Sequence, residues 1–216
     1  MKKRKFGFTV AEMVTAMSIV GIISAFVIPL SIKSFNKHQA GIVLGNAVEQ
    51  IVLGNQNIIQ LANMNATDNS YTDSLRRITI GNLYGSEDIT EIWASLNTVI
   101  RPFWRLEESN NDPVSIKNFD GDNITDESPI TDDGILKYNF SKLPASIAIV
   151  SSGEVRKNIY IDTNGFRSSP NTYGKDIFAF ELNDDGTLRP FGADDNNDGL
   201  QFTERVVREG FRITYY

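Results

Sequence analysis

The chain has 216 residues, of which 41% are hydrophobic and 10% aromatic, enough to build a packed core and too many for a disordered chain. There is no cysteine, which excludes a disulfide framework and a thiolate zinc site but says nothing of compartment. The net charge of −6 divides unevenly: residues 1–37 hold six Lys/Arg against Glu12, a net of +5, while the rest holds 15 basic and 26 acidic residues, a net of −11. A basic tip, an apolar run and an acidic body read as an exported protein tethered at its start, and the acidic body argues against nucleic acid as a partner.

The chain opens MKKRKFG, followed by FTVAEMVTAMSIVGIISAFVIPLSIK. Met13 to Ile32 is a run of 20 residues without charge, about 30 Å as a helix and long enough to cross a bilayer. Lys2, Lys3, Arg4 and Lys5 would keep the N-terminus in the cytoplasm. A cleaved secretory signal should end its apolar stretch on small residues, whereas this one ends AFVIPLSIK. A plain membrane anchor satisfies the length but leaves Glu12 without a reason. An acid placed early in such a segment, with nothing local to pair with, is costly and usually functional.

The stretch KKRKFG-FTVAEM and the helix after it resemble the cleavage and methylation signature of type IV pilins and type II secretion pseudopilins. That signature is a short basic leader ending in Gly, here Gly7, an apolar first mature residue, here Phe8, and a Glu at the fifth mature position, here Glu12. A proline recurs some twenty residues into the mature helix, matched by Pro29. The resemblance covers roughly the first 35 residues. It implies a leader at residues 1–7, removed after Gly7 by a prepilin peptidase, a membrane aspartyl protease that also methylates the new amine of Phe8. It further implies that an inner-membrane assembly platform moves the subunit from the bilayer into a filament of pilin or pseudopilin subunits. There Glu12 would pair with the Phe8 amine of a neighbour, and the helix around Pro29 would loosen. The implied location is the bacterial inner membrane, single-pass, with the head periplasmic or extracellular.

Beyond the apolar run, Leu44, Ala47, Val48, Ile51, Ile58 and Ala62 keep a three-to-four spacing, which extends the helix over 8–64, roughly 85 Å. Gly41, Gly45 and Gly54 weaken that helix unless packing supports it. His38, the sole histidine, reads as a surface residue. The segment 65–134 divides into turn structure, a second amphipathic helix from Ser86 with Ile89, Trp93, Leu96 and Ile100 on one face and Pro102 stopping it, and an acidic loop. That loop, 107–134, carries nine Asp/Glu and one Lys and reads as a solvated insertion.

From 135 to 216 the pattern is that of strands: ILKYNF, SIAIVSS, VRKNIYID, DIFAFEL, TLRPFG and FRITYY, parted by turn residues such as Asn183 to Gly186. Short strands arriving after long helices predict an α+β fold with an antiparallel sheet. The packing of that sheet on the long N-terminal helix is implied by the resemblance.

Asp194, Asn196 and Asp198, followed by Gly199, match the first half of an EF-hand-like loop, in which alternate oxygens converge on one calcium ion. The twelfth position is Arg205, with Glu204 one residue early, so the match to a true EF-hand is incomplete. Major pseudopilins carry a calcium loop near the C-terminus, and Asp162 to Gly186 loosely resembles that region. The alternatives are a Ca2+ site made by Asp194, Asn196, Asp198 and Glu204, or an Asx-rich solvated turn. Asp120 and Asp122 form a weaker acidic pair. No G-x-S-x-G, H-E-x-x-H or nucleophile–base pair is legible, so the expectation is a structural subunit and not an enzyme. The rival is a permanently anchored exported binding protein.

Overall fold

The computed structural model describes residues 9–64, 100–108, 114–131, 135–151, 157–169, 171–183, 186–191 and 199–216. It has the expected α+β layout: one long N-terminal helix and an antiparallel sheet. Helix α1, Val10–Met64, is 55 residues long, about 80 Å, and continues without a break past Pro29. A four-residue helix α2, Arg101–Trp104, leads into β1, Leu106–Glu108. Then come β2, Leu136–Phe140, β3, Ser146–Ser151, β4, Lys157–Asp162, β5, Ile177–Leu182, and β6, Leu188–Pro190, with helix α3, Phe202–Arg208, near the end. The described strands form one meander in the order β1 to β6, each antiparallel to its sequence neighbour.

The sheet is buried on both faces. Toward α1, Tyr138, Ile147, Ile159, Ile161, Phe178 and Phe180 pack with Leu44, Ala47, Ile51 and Ile58 of the helix, Trp104 of α2 and Val206 of α3. On the opposite face, Ala148, Val150, Tyr160, Ile177 and Ala179 pack with Val114, Ile116, Ile130, Phe166, Tyr173 and Leu200. Double burial explains why SIAIV and IFAF are continuous apolar runs where a half-exposed antiparallel strand would alternate.

The second core corrects the reading of 107–134 as a solvated insertion. Ile116 and Ile130 are wholly buried and Val114 nearly so; Ser128 is buried with its hydroxyl 2.5 Å from that of Tyr173. Acidic side chains dominate the composition there, but three well-spaced aliphatics supply the cover that the outer sheet face requires. Asp120 and Asp122 lie in a tight turn in which Asn118 Oδ1 accepts from the N–H groups of Gly121 and Asp122.

Three other expectations change. Ser86 to Val99 lies outside the described residues, but Pro102 does not end a helix: it stands in the first turn of α2, where its missing N–H is tolerated. The FRITYY segment is irregular and pairs with no described strand. Its side chains anchor it instead: Ile213 is buried, and the hydroxyls of Tyr215 and Tyr216 donate to the carbonyls of Gly174 and Lys175. The residues before it form α3, with Thr203 and Val206 buried one turn apart and Gly210, at φ +67°, just beyond its end.

The helix meets the head through the glycines that weaken it. A Cβ on Gly54 would come within 2.7 Å of Trp104 Cδ1 and 2.9 Å of the Phe103 carbonyl, and one on Gly45 within 3.3 Å of the Phe211 ring. Beside Gly54, the buried Asn55 donates 2.7 Å to the Gly186 carbonyl and accepts 2.9 Å from Trp104 Nε1. One amide thus ties α1, α2 and the β5–β6 turn together, and a mismatched partner there would leave a buried polar group unsatisfied.

Candidate functional site

Two features stand apart from the packing of the head. The first is the N-terminal half of α1. Its apolar side chains lie in the open all round the helix: Val10 is 81% exposed, Phe26 71% and Phe35 65%. Burial begins with Gly41, Val43 and Leu44. Among the described residues this is the one helix long and apolar enough to cross a membrane. An unbroken apolar surface of this size is foreign to a water-facing helix, which would show a polar side. Where the apolar run ends, Lys33 and Lys37 place their ammonium groups 5.7 and 4.3 Å from the ring of Tyr216, so the head touches α1 at the first charges after the run.

Glu12 stands in the first turn of α1 and has a local partner after all. Its Oε2 accepts from the Thr9 backbone N–H at 2.8 Å and from the Thr9 hydroxyl at 2.9 Å, while Thr9 Oγ1 accepts from the Glu12 N–H at 3.2 Å. This reciprocal arrangement is a capping box, which satisfies backbone donors that the helix start leaves over. The signal was in the sequence as T-x-x-E, Thr9 to Glu12. Pro29 lies inside α1 among exposed neighbours, and Gly21, with no heavy atom within 4 Å of a Cβ placed there, packs against nothing among the described residues. Gly7 and Phe8 lie outside the described residues.

The second feature is a pair of buried carboxyl groups at the end of the sheet. Asp162 closes β4 opposite Ile177, and Asp176 immediately precedes that residue. The chain between them folds back on itself, with the Thr163 N–H donating 2.9 Å to the Asp176 carbonyl. Asp162 Oδ1 accepts from the Asn164 N–H at 3.0 Å; Asp176 Oδ1 accepts from the Thr172 N–H at 2.5 Å, and its other oxygen lies 3.4 Å from Asn164 Nδ2. Burial raises the pKa of Asp162 well above the usual carboxyl range, and the Asp176 charge adds to it. Burial likewise brings Asp176 to about 7, against the lowering effect of its hydrogen bonds. Tyr216 is pushed up to about 12 by burial and by the Asp176 charge. Asp176, Asn164 and Thr163 border an open cleft of about 830 Å³ that is also lined by Pro29, Ile32, Lys33 and Lys37 of α1.

At the level of sequence, Asp162 enters only as the start of a stretch that loosely resembles the pseudopilin C-terminal region, and neither Asp162 nor Asp176 is given a role of its own. Their signal was positional, since an Asp directly after IYI and another directly before IFAF put two acids at one end of adjacent apolar strand segments. As for the expected calcium loop, Asp194, Asn196 and Asp198 lie outside the described residues. Glu204 is exposed in the first turn of α3. Among the described residues, no three His, Cys, Asp or Glu side chains gather as a metal-binding group. No family model, curated protein or solved structure matches this chain.

Proposed function

We propose that this chain is a pilin-like filament subunit, a prepilin or pseudopilin, cut after Gly7 and N-methylated on Phe8 by a prepilin peptidase. Its partners are then the inner-membrane assembly platform and other subunits of a type IV pilus or type II secretion pseudopilus. The observation that carries the reading is the apolar half of α1, which no part of the described head covers. In the bilayer, lipid covers it. In a filament, the same surfaces of neighbouring subunits cover it, so transfer changes apolar exposure little and the helix serves as anchor and core in turn. On this reading the basic leader is cytoplasmic and the acidic head lies across the inner membrane, in the periplasm or outside the cell.

Glu12 is then given two successive tasks. In the lone subunit it closes the capping box with Thr9. In the filament its charge compensates the Phe8 amine of a neighbour, in surroundings where an unpaired charge is costly. The deciding experiment is intact-mass analysis of the protein extracted from membranes. A product that starts at a singly methylated Phe8 is expected. A product retaining Met1 to Gly7 would instead favour the permanently anchored binding protein, and one cut beyond Pro29 would make the apolar run an ordinary signal.

A further inference from the structure

The cleft between α1 and the head begins where the apolar run ends. Its walls join Pro29 and Ile32, from the end of the uncharged stretch, to Lys33, Lys37 and Lys175. The three ammonium groups gather about one ring: those of Lys33 and Lys175 lie 5.7 Å, and that of Lys37 4.3 Å, from the centre of Tyr216. Among the described residues, none of the three forms an ion pair with a carboxylate. One aromatic ring does not balance three like charges crowded around it. Asp176 is the one acid in the lining; it is buried, it accepts from the Thr172 amide, and burial brings it to about 7, so it offers these cations little. The head side of the cleft also presents the exposed Ser168 and Ser169.

A cleft with this charge calls for an anion, and its place decides which kind. Beyond residue 37 the chain carries a net charge of −11, so an anion arriving through solution meets mostly repulsion. An anion held in the plane of a membrane is instead delivered to the cleft, because Pro29 and Ile32 belong to the segment that lipid would cover. Basic groups beside a membrane segment attract anionic headgroups, and Lys33 and Lys37 stand on the exported side, which the positive-inside bias otherwise leaves poor in cations. The cleft volume of about 830 Å³ lies in the usual range of small-molecule sites, about 300–1,000 Å³. We propose that this cleft binds one anionic glycerophospholipid, its phosphate held by Lys33, Lys37 and Lys175 and its headgroup hydroxyls by Ser168 and Ser169. The acyl chains then continue past Ile32 and Pro29 along the apolar half of α1, so that the lipid fixes the head against the membrane surface. This rests on the reading of that half as membrane-embedded, and it is the same for a filament subunit before assembly and for a permanent anchor.

The test mixes the full chain in detergent with dioleoyl phosphatidylglycerol or dioleoyl phosphatidylcholine and counts retained lipid by native mass spectrometry. Lys33→Gln, Lys37→Gln and Lys175→Gln combined empty the cleft of charge. Arg105→Gln, Arg189→Gln and Arg208→Gln combined remove three exposed charges elsewhere on the head. The leader cations Lys2 to Lys5 are present in every arm, so their own attraction for lipid cancels. The wild type and the arginine variant should retain one phosphatidylglycerol more than the lysine variant, whose affinity should be about 100-fold lower. Phosphatidylcholine should not substitute, and excess inorganic phosphate should not displace the lipid. If the lysine variant fails to fold, Ser168→Asp with Ser169→Asp decides: it leaves α1 untouched and should weaken retention at least about tenfold. The proposal is overturned if the lysine variant retains as much phosphatidylglycerol as the arginine variant, if phosphatidylcholine is held equally well, or if phosphate displaces the lipid, which would mark a site for free anions. Flotation with phosphatidylcholine vesicles separates this failure from that of the reading beneath it. A chain that does not float has no membrane-embedded helix, and both fall; a chain that floats without preferring phosphatidylglycerol overturns the lipid site alone.

Discussion

The two halves of α1 are one continuous helix with opposite fates. From Gly41 to Ile58, the residues that face the sheet are buried, and the polar Asn46, Glu49 and Gln56 face away. From Val10 to Phe35 there is no such division, because apolar side chains occupy every direction and none is buried. The first pattern is that of a helix solved by its own chain, the second that of a helix whose solvent must be lipid or other protein. Helix propensity does not separate them, since Gly and β-branched residues occur in both. What separates them is whether a polar face exists.

The sharpest way to break the comparison is at Glu12, the acid at the head of the uncovered half. Glu12→Gln retains a side chain able to close the capping box with Thr9, because Gln serves at that position as Glu does. If capping were its whole role, filaments would form normally from the variant. Should the charge pair with a neighbour's amine, the loss leaves that amine buried and unpaired, on the order of 3–5 kcal/mol, and processed subunits should remain in the membrane without entering filaments. Filament yield in sheared or periplasmic fractions reads the difference.

Large-to-small substitutions should separate the halves in a single melting experiment. Ile51→Ala, at a wholly buried position, should destabilise the head by about 2–5 kcal/mol. Ile22→Ala, 61% exposed in the wild-type chain, should leave head melting unchanged within about 0.5 kcal/mol. A comparable loss from both would mean that the first half is packed against the head after all.

Smaller but opposite effects are expected at two glycines. Gly21→Ala adds a methyl group in open space and should strengthen the helix by up to about 1 kcal/mol. Gly54→Ala gains the same propensity but drives its Cβ into Trp104 and the Phe103 carbonyl, and overpacking of that kind costs about 1–3 kcal/mol. Gly54→Ala should therefore lower the melting temperature of the head, while Gly21→Ala should leave it unchanged and show its gain only in the helical content of the first half.

Much of this was legible in the residues themselves. The apolar run, its length and its lone acid are local features, and the strand segments from Leu136 to Pro190 follow from runs of β-branched and aromatic residues between turns. So does the buried stripe of Leu44, Ala47, Ile51 and Ile58, because a 3.6-residue period shows in one dimension. The rest depended on what the chain meets after folding. Composition marked 107–134 as acidic, yet Val114, Ile116 and Ile130 are core because the outer face of the sheet needed cover. The alternation in FRITYY suited a strand, yet its aromatics are spent on anchoring to the Gly174–Lys175 turn and to α1. Asp162 and Asp176 stand fourteen positions apart in the sequence and become a buried pair only when β4 and β5 align. Periodicity and charge along the chain thus determined the long helix, the strands from Leu136 to Pro190 and the membrane-like run. Tertiary structure alone decided which polar groups would be shut away together, because burial belongs to neighbours distant in sequence.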